Sequence, residues 1–308
     1  MIFAARGLLV TFAFFATIYC PLSCIVVLGW RSIKHTGWEA IVHSANFLFA
    51  LRMFPFAVSS VIAVFFTFPS FWLMERASLD EDAATFILAA CSLIILGAGL
   101  RRVVKAQAST TNAVNRWSLG AGNRSGTTAT LSASSGAPAL VLIGIRKPKV
   151  MVSDMAATVL NDRELQLAVR HELGHKRSWD NLKRVLINAT YFPGMKSIES
   201  AWRESAELAA DDAAVSNRQD AVDLAAVLIK LSRSSKQWSD LALASGLVSG
   251  ESSIGLRVNR LLDWRAPSPK QWPGVAWTVI LFAIAGSLAT HYGATLSLTH
   301  RLTEMLVP

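Results

Sequence analysis

Charge is scarce in this sequence. Only 17% of its 308 residues are Asp, Glu, Lys or Arg, against 52% that are hydrophobic, a balance that excludes an ordinary soluble domain of this size and puts a membrane setting first. Cysteine is scarcer still. Cys20, Cys24 and Cys91 all fall inside apolar stretches, which leaves neither a disulfide framework nor a thiolate metal site. Ionisable residues are essentially missing from the long apolar runs, and a transporter needs them there. Basic residues exceed acidic ones, giving a net charge of +9, but they do not gather into a stripe with interleaved aromatics. Direct nucleic-acid binding is therefore not expected. Much of the excess flanks the apolar runs, where Lys and Arg mark the cytoplasmic side and meet anionic lipid.

What is present begins with length. A bilayer core of about 30 Å needs about 17 to 25 apolar residues of helix, and residues 7–30, 54–73, 83–100 and 274–292 meet that need. The first run continues past any small-residue cleavage site to Gly29 and Trp30, so it reads as an uncleaved span rather than a secretory signal. Arg31 and Lys34 follow it, Glu75, Asp80, Glu81 and Asp82 separate the second run from the third, and Arg101, Arg102 and Lys105 follow the third. This charge pattern predicts an N-terminus outside, residues 101–273 in the cytoplasm, and a short extracytoplasmic tail over 293–308.

Within the cytoplasmic part, residues 106–137 are rich in Ser, Thr, Ala, Gly and Asn without sustained periodicity, the signature of a flexible surface segment. Residues 140–143 and 150–152 flank a turn and predict a hairpin or two short strands. Its edge either pairs with an extended peptide substrate or serves as a hydrophobic floor for the helices. Asn161 and Glu164 form a capping-box pattern that starts a helix running to about 184. Further helices are expected over about 200–214 and 220–232. Strands before helices, in a predominantly helical chain, point to a small α+β domain.

The first of these helices carries His171-Glu172-Leu173-Gly174-His175. Histidines at i and i+4 project from one helix face and can share one zinc ion, while the adjacent Glu172 faces the open side of the metal, placed to take and return a proton. His35 and His43 lie near the first loop and His291 and His300 outside, so a third ligand in the cytoplasmic part has to be a carboxylate. Glu207 fits, because Asp211 stands four positions on, where it could support a ligand histidine; the bland reading of the pair is a solvated acidic helix face. Glu204 competes with Glu207 but has no carboxylate four residues on. Asp180 either supports the site or ends its helix. Tyr191 either stabilises an oxyanion or packs beside Phe192.

Together these residues resemble the BlaR/MecR family of membrane metallopeptidases, which belong to the gluzincins. The resemblance rests on three spans before the zinc segment and one after it, on the hairpin from Pro138 to Ser153, on His171 to Asn181, on Glu207 to Asp211, and on the Arg-rich segment Leu256 to Leu262. It implies a zincin-like fold, one zinc per chain held by His171, His175 and Glu207, and Glu172 as the acid and base. It also implies a multi-pass protein of the bacterial inner membrane that acts in signal transduction, cleaving a cytoplasmic protein, commonly a transcriptional repressor, and sometimes itself. The extracellular penicillin-binding sensor that well-studied members carry after the fourth span has no counterpart in the residues that follow 292.

Two rivals stand beside this reading. An HtpX-like quality-control protease shares the motif chemistry but typically places spans between its two halves, and no apolar run between His175 and Glu207 is long enough to cross. A non-catalytic scaffold with a structural zinc has no use for Glu172.

Overall fold

The computed structural model describes residues 2–35, 44–74, 82–118, 124–125, 129–131, 139–145, 148–234, 245–246, 251–265 and 292–306. Among them helix predominates. Three helical stretches, Phe3–Ile33, Ala45–Met74 and Ala83–Arg116, are long and apolar enough to cross a membrane. They belong to α1 (Ile2–His35), to α2 (Ala45–Ile62) continued through a π turn (Ala63–Thr67) into α3 (Phe68–Met74), and to α4 (Ala83–Ser118). Each exceeds the predicted apolar run, because backbone hydrogen bonding continues through polar residues after hydropathy has fallen. The surplus in α4 is its polar end, Arg101 to Ser118, and this end turns the first part of the expected flexible segment into helix.

The sheet explains that extension. Its five strands run in the order β1-β2-β4-β3-β5, with β1 (Arg124–Ser125), β2 (Ala129–Leu131), β3 (Leu140–Ile143), β4 (Lys149–Val152) and β5 (Ser245–Gly246). At its centre is the expected antiparallel hairpin, pairing Leu140 with Val152 and Leu142 with Val150. Side chains alternate across a strand, so Leu140, Leu142, Val150 and Val152 enter the main core. Val141, Ile143 and Met151 face the other way and pack on Ala113 and Val114 of α4. Two short strands, β1 and β2, stand in the rest of the stretch read as flexible.

The main core is closed by α5 (Asp154–Val159), α6 (Asp162–Arg177), α9 (Arg218–Ser234) and α10 (Glu251–Leu262). Between α6 and α9 come α7 (Asp180–Ala189) and α8 (Lys196–Ala214), whose connection packs into one end of the helix bundle. There Met195, Ile198, Trp202 and Ile187 meet Val26, Val27 and Trp30 of α1 and Leu48 of α2. Gly99 lets α4 approach α7 so closely that a Cβ at this position would overlap the carbonyl of Ala189. The domain is thus built onto the spans rather than tethered beside them.

Residues 274–291 of the expected fourth span lie outside the described residues. The tail beyond them is a helix, α11 (Tyr292–Leu306), packed on the π turn and α3. A π turn displaces the regular bonding register, and here the Phe65 carbonyl accepts a hydrogen bond from the Tyr292 hydroxyl at 3.0 Å.

Candidate metal centre

The start of α6 is set by the expected capping box: Asn161 accepts from the Glu164 amide at 2.9 Å while its own amide donates to the Glu164 carboxylate at 3.0 Å. From that start, the helical period turns His171, Glu172 and His175 onto the buried face with Leu167 and Ala168. This face lies against α8. Gly174 makes the approach possible, since a Cβ there would stand 3.2 Å from the Ala210 Cα and 3.3 Å from its carbonyl oxygen. Opposite, α8 buries Glu207, Ala210 and Asp211 on one stripe.

His171, His175 and Glu207 therefore converge. All three are buried, and their donor atoms lie within 4.8 Å of one another. Nε2 of His171 is 3.5 Å from one Glu207 oxygen and Nε2 of His175 is 3.6 Å from the other. These separations are too long for good hydrogen bonds, but they suit ligands of one ion: donors about 2.1 Å from a tetrahedral zinc stand about 3.4 Å apart. Both Nε2 atoms and the Oε2 atom of Glu207 are buried without a hydrogen-bond partner among the described residues. Two unpartnered imidazole nitrogens facing one carboxylate, whose Oε2 also lies 3.2 Å from Arg257 Nη1, fit a metal ion, which would satisfy both nitrogens together.

The far sides of the imidazoles are also held. Nδ1 of His175 donates to Asp180 at 2.7 Å, and Nδ1 of His171 lies 2.9 Å from Asp211, off-line for a straight hydrogen bond. Carboxylates behind metal-binding histidines fix the tautomer and turn the other nitrogen to the metal. Asp180 reaches its place through a two-residue turn in which Trp179 adopts φ 57°, a left-handed conformation costing an L residue about 1–2 kcal/mol. Asn181 then donates to the carbonyls of Leu142 and Gly144, at 3.1 and 3.0 Å, and so ties α7 to the end of β3.

This arrangement has a counterpart among known proteins. The BlaR1 peptidase M56 family model matches residues 83–261, more than half of the chain and all of the elements just described. The chain belongs to that family. No curated protein matches it. Membership makes it a membrane metallopeptidase and implies a metal.

In this M56 chain the surroundings favour positive charge between the imidazoles and Glu207. Burial alone would discourage an imidazolium at His175, but Glu207 and Asp180 override it and push its pKa up to about 10. His171 is raised against the same burial by Asp211 and Glu207. Burial opposes ionisation of Glu207 too, yet the histidines and Arg257 hold it well below the carboxylate range. Glu172 differs: burial dominates and pushes its pKa up, and neither of its oxygens has a hydrogen-bond partner among the described residues.

Of the other residues singled out by sequence, Glu204 is exposed on α8 and is not gathered with the three. Tyr191 is not gathered with the three; its ring lies under Arg102, 4.9 Å from the guanidinium carbon, in the connection between α7 and α8. Sequence reasoning missed Arg257. From α10 it donates to both oxygens of Asp211 and places Nη1 3.2 Å from Glu207. The only hint was its place in an Arg-rich segment. Beside His175 a cavity of about 390 Å³ opens, lined by Leu142, Ile145, Leu173, Trp179 and Leu182 among others.

Proposed function

We propose that this M56 peptidase is a zincin-like, zinc-dependent endopeptidase of the gluzincin type, hydrolysing peptide bonds of a cytoplasmic protein, with His171, His175 and Glu207 as ligands and Glu172 as acid and base. The observation that carries the reading is the pair of 3.5 and 3.6 Å separations between the histidine Nε2 atoms and the Glu207 oxygens.

Zinc, when bound, polarises the scissile carbonyl and makes a water acidic enough to lose its proton near neutral pH. Glu172, whose carboxyl is desolvated and free of competing hydrogen bonds, takes that proton and delivers it to the leaving amine. Asp180 and Asp211 keep the two imidazoles oriented throughout. Arg257 offsets the charge of the two carboxylates on α8.

Orientation is read from charge. Arg101, Arg102 and Lys105 stand where α4 leaves its apolar run toward the sheet, and the acidic residues 80–82 precede its other end, which favours a cytoplasmic domain and an N-terminus outside. A regulatory target such as a transcriptional repressor is the substrate class we favour. Self-cleavage gains support from β5: the chain's own Ser245–Gly246 pairs antiparallel along β3, opposite Val141 and Leu142, in the manner of a peptide added to a sheet. A quality-control role of the HtpX kind is disfavoured, because α7 alone lies between α6 and α8 and it is only 10 residues long.

The test is metal content and proteolysis of the detergent-solubilised protein beside Glu172→Gln and Glu207→Ala, with host cytoplasmic proteins as substrate. One zinc per chain is expected, lost in Glu207→Ala, with cleavage abolished but zinc kept in Glu172→Gln. A wild-type protein without zinc would sink the reading. Zinc without cleavage would leave a scaffold as the better account.

A further inference from the structure

At the domain end of the bundle lies a cluster of buried polar groups that the chemistry above does not use. Each of the three spans sends one side chain into it. From α1, the Tyr19 hydroxyl lies 3.1 Å from the Thr190 carbonyl and 3.2 Å from that of Tyr191. Arg52, fully buried on α2, donates through Nε and Nη2 to Glu199 at 3.1 Å, and through Nη2 to the carbonyls of Thr190 at 2.6 Å and Ile187 at 3.3 Å. From α4, Arg102 reaches the other Glu199 oxygen at 3.6 Å.

A buried guanidinium bound to both a carboxylate and backbone does two things at once. Ile187 lies in the last turn of α7 and Thr190 is the residue that follows the helix; carbonyls at a helix end have no partner in the helix, so Arg52 caps α7. Glu199 is on α8, so the same side chain grips the beginning of that helix. Glu207 follows on α8 just over two turns later, about 12 Å along its axis. Because an α-helix is stiff over two turns, fixing Glu199 fixes the height and rotation at which Glu207 meets His171 and His175. α7 starts at the other end with Asp180, which holds His175. One clamp therefore sets both helices that complete the centre on α6.

We propose that Arg52 is a positioning residue for the metal centre, setting the register of α8 so that Glu207 completes the site. The proposal rests on the reading of Glu207 as a metal ligand. A cross-link that merely fastens the domain to the spans would lower overall stability when lost, but it would leave the geometry around a bound ion unchanged.

The test uses the full chain in nanodiscs, comparing wild type with Arg52→Met, Arg52→Lys, Glu199→Gln and Tyr19→Phe. Two quantities are read in folded protein: zinc affinity by competition with a chromophoric chelator, and the visible spectrum of the Co(II)-loaded form, which reports ligand geometry. Arg52→Met, which acts through α8 rather than by touching a ligand, is expected to weaken zinc binding by up to about tenfold, the lower end of what loss of a group bonded directly to a ligand costs, and to lower the Co(II) absorption intensity. Lysine, which keeps the charge but cannot span carboxylate and carbonyls together, should recover part of both. Tyr19→Phe removes a single oxygen from the same cluster and should act in the same direction with a smaller loss. Wild-type affinity and spectrum in folded Arg52→Met overturn the proposal; if that variant does not accumulate, unchanged values in both Glu199→Gln and Tyr19→Phe do so instead. A wild type that binds neither ion overturns the metal reading itself and this inference with it.

Discussion

Arg257 grips Asp211 through two hydrogen bonds of 2.7 and 2.8 Å, with both side chains buried. The same guanidinium faces Glu207 at 3.2 Å, so its removal leaves two buried carboxylates without their shared cation. Breaking a buried pair by deleting one partner costs about 3–5 kcal/mol. Arg257→Met should lower the unfolding free energy of the metal-free protein by that order, and Arg257→Lys should recover little, because one ammonium cannot meet both carboxylates. Chemical denaturation in detergent followed by tryptophan fluorescence checks this. A loss below about 1 kcal/mol would show that the carboxylates find another partner.

Of the two histidines Asp180 holds His175, while its other oxygen lies 3.7 Å from Lys183. Asp180→Ala should weaken zinc binding about 10- to 100-fold, the usual cost of losing a group behind a ligand, while Asp180→Asn, which can still accept from Nδ1, should cost less. Equal affinities in the alanine variant and the wild type would return Asp180 to the lesser role of starting α7.

Metal uptake should depend on pH with a definite sign. A metal takes the neutral imidazole, and His175 holds its proton up to about 10, so at neutral pH zinc must displace at least one proton. Affinity therefore rises with pH, by up to about one logarithmic unit per pH unit for each proton released, and levels off once the imidazoles are already neutral. Calorimetry in buffers of different ionisation enthalpy measures the release directly. An affinity that does not change between about pH 7 and 9 would contradict the raised pKa.

Gly174 sets opposing effects against each other. Alanine is the better helix former by about 1 kcal/mol, but its methyl would meet backbone atoms of Ala210 at 3.2 and 3.3 Å, and backbone cannot move aside as a flexible side chain can. Gly174→Ala should push α8 away from α6 and reduce zinc affinity despite the gain in propensity. Retention of full affinity together with a higher melting temperature would mean that the helices adjust.

How much of this could be read in sequence depends on distance along the chain. His171 and His175, or Glu207 and Asp211, are one helical turn apart, so periodicity alone puts each pair on a face. Capping by Asn161 is equally local. Arg257 is bonded to a residue 46 positions away, and Arg52 to one 147 positions away; nothing in the neighbourhood of either announces the partner. Arg52 also sits just before the apolar run of its span, where a hydropathy reading sees only a flank. The polar end of α4 looked flexible because Ala113 and Val114 form no long apolar pattern, and its helix is supported by Val141 on a strand that comes later. The short strands β1 and β2 escaped for a similar reason, since β2 depends on pairing with β4.

The contact at Gly99 limits how α4 can move. Successive residues on a helix are rotated by about 100°, so turning α4 by a single position would replace Gly99 with the side chain of Ala98 or Leu100 against the Ala189 carbonyl, where no Cβ fits. Rotation about its own axis is therefore blocked at this contact. The α4 helix is keyed like a shaft in its slot: Gly99 fixes the rotational setting in which Ala113 and Val114 meet Val141 of the sheet.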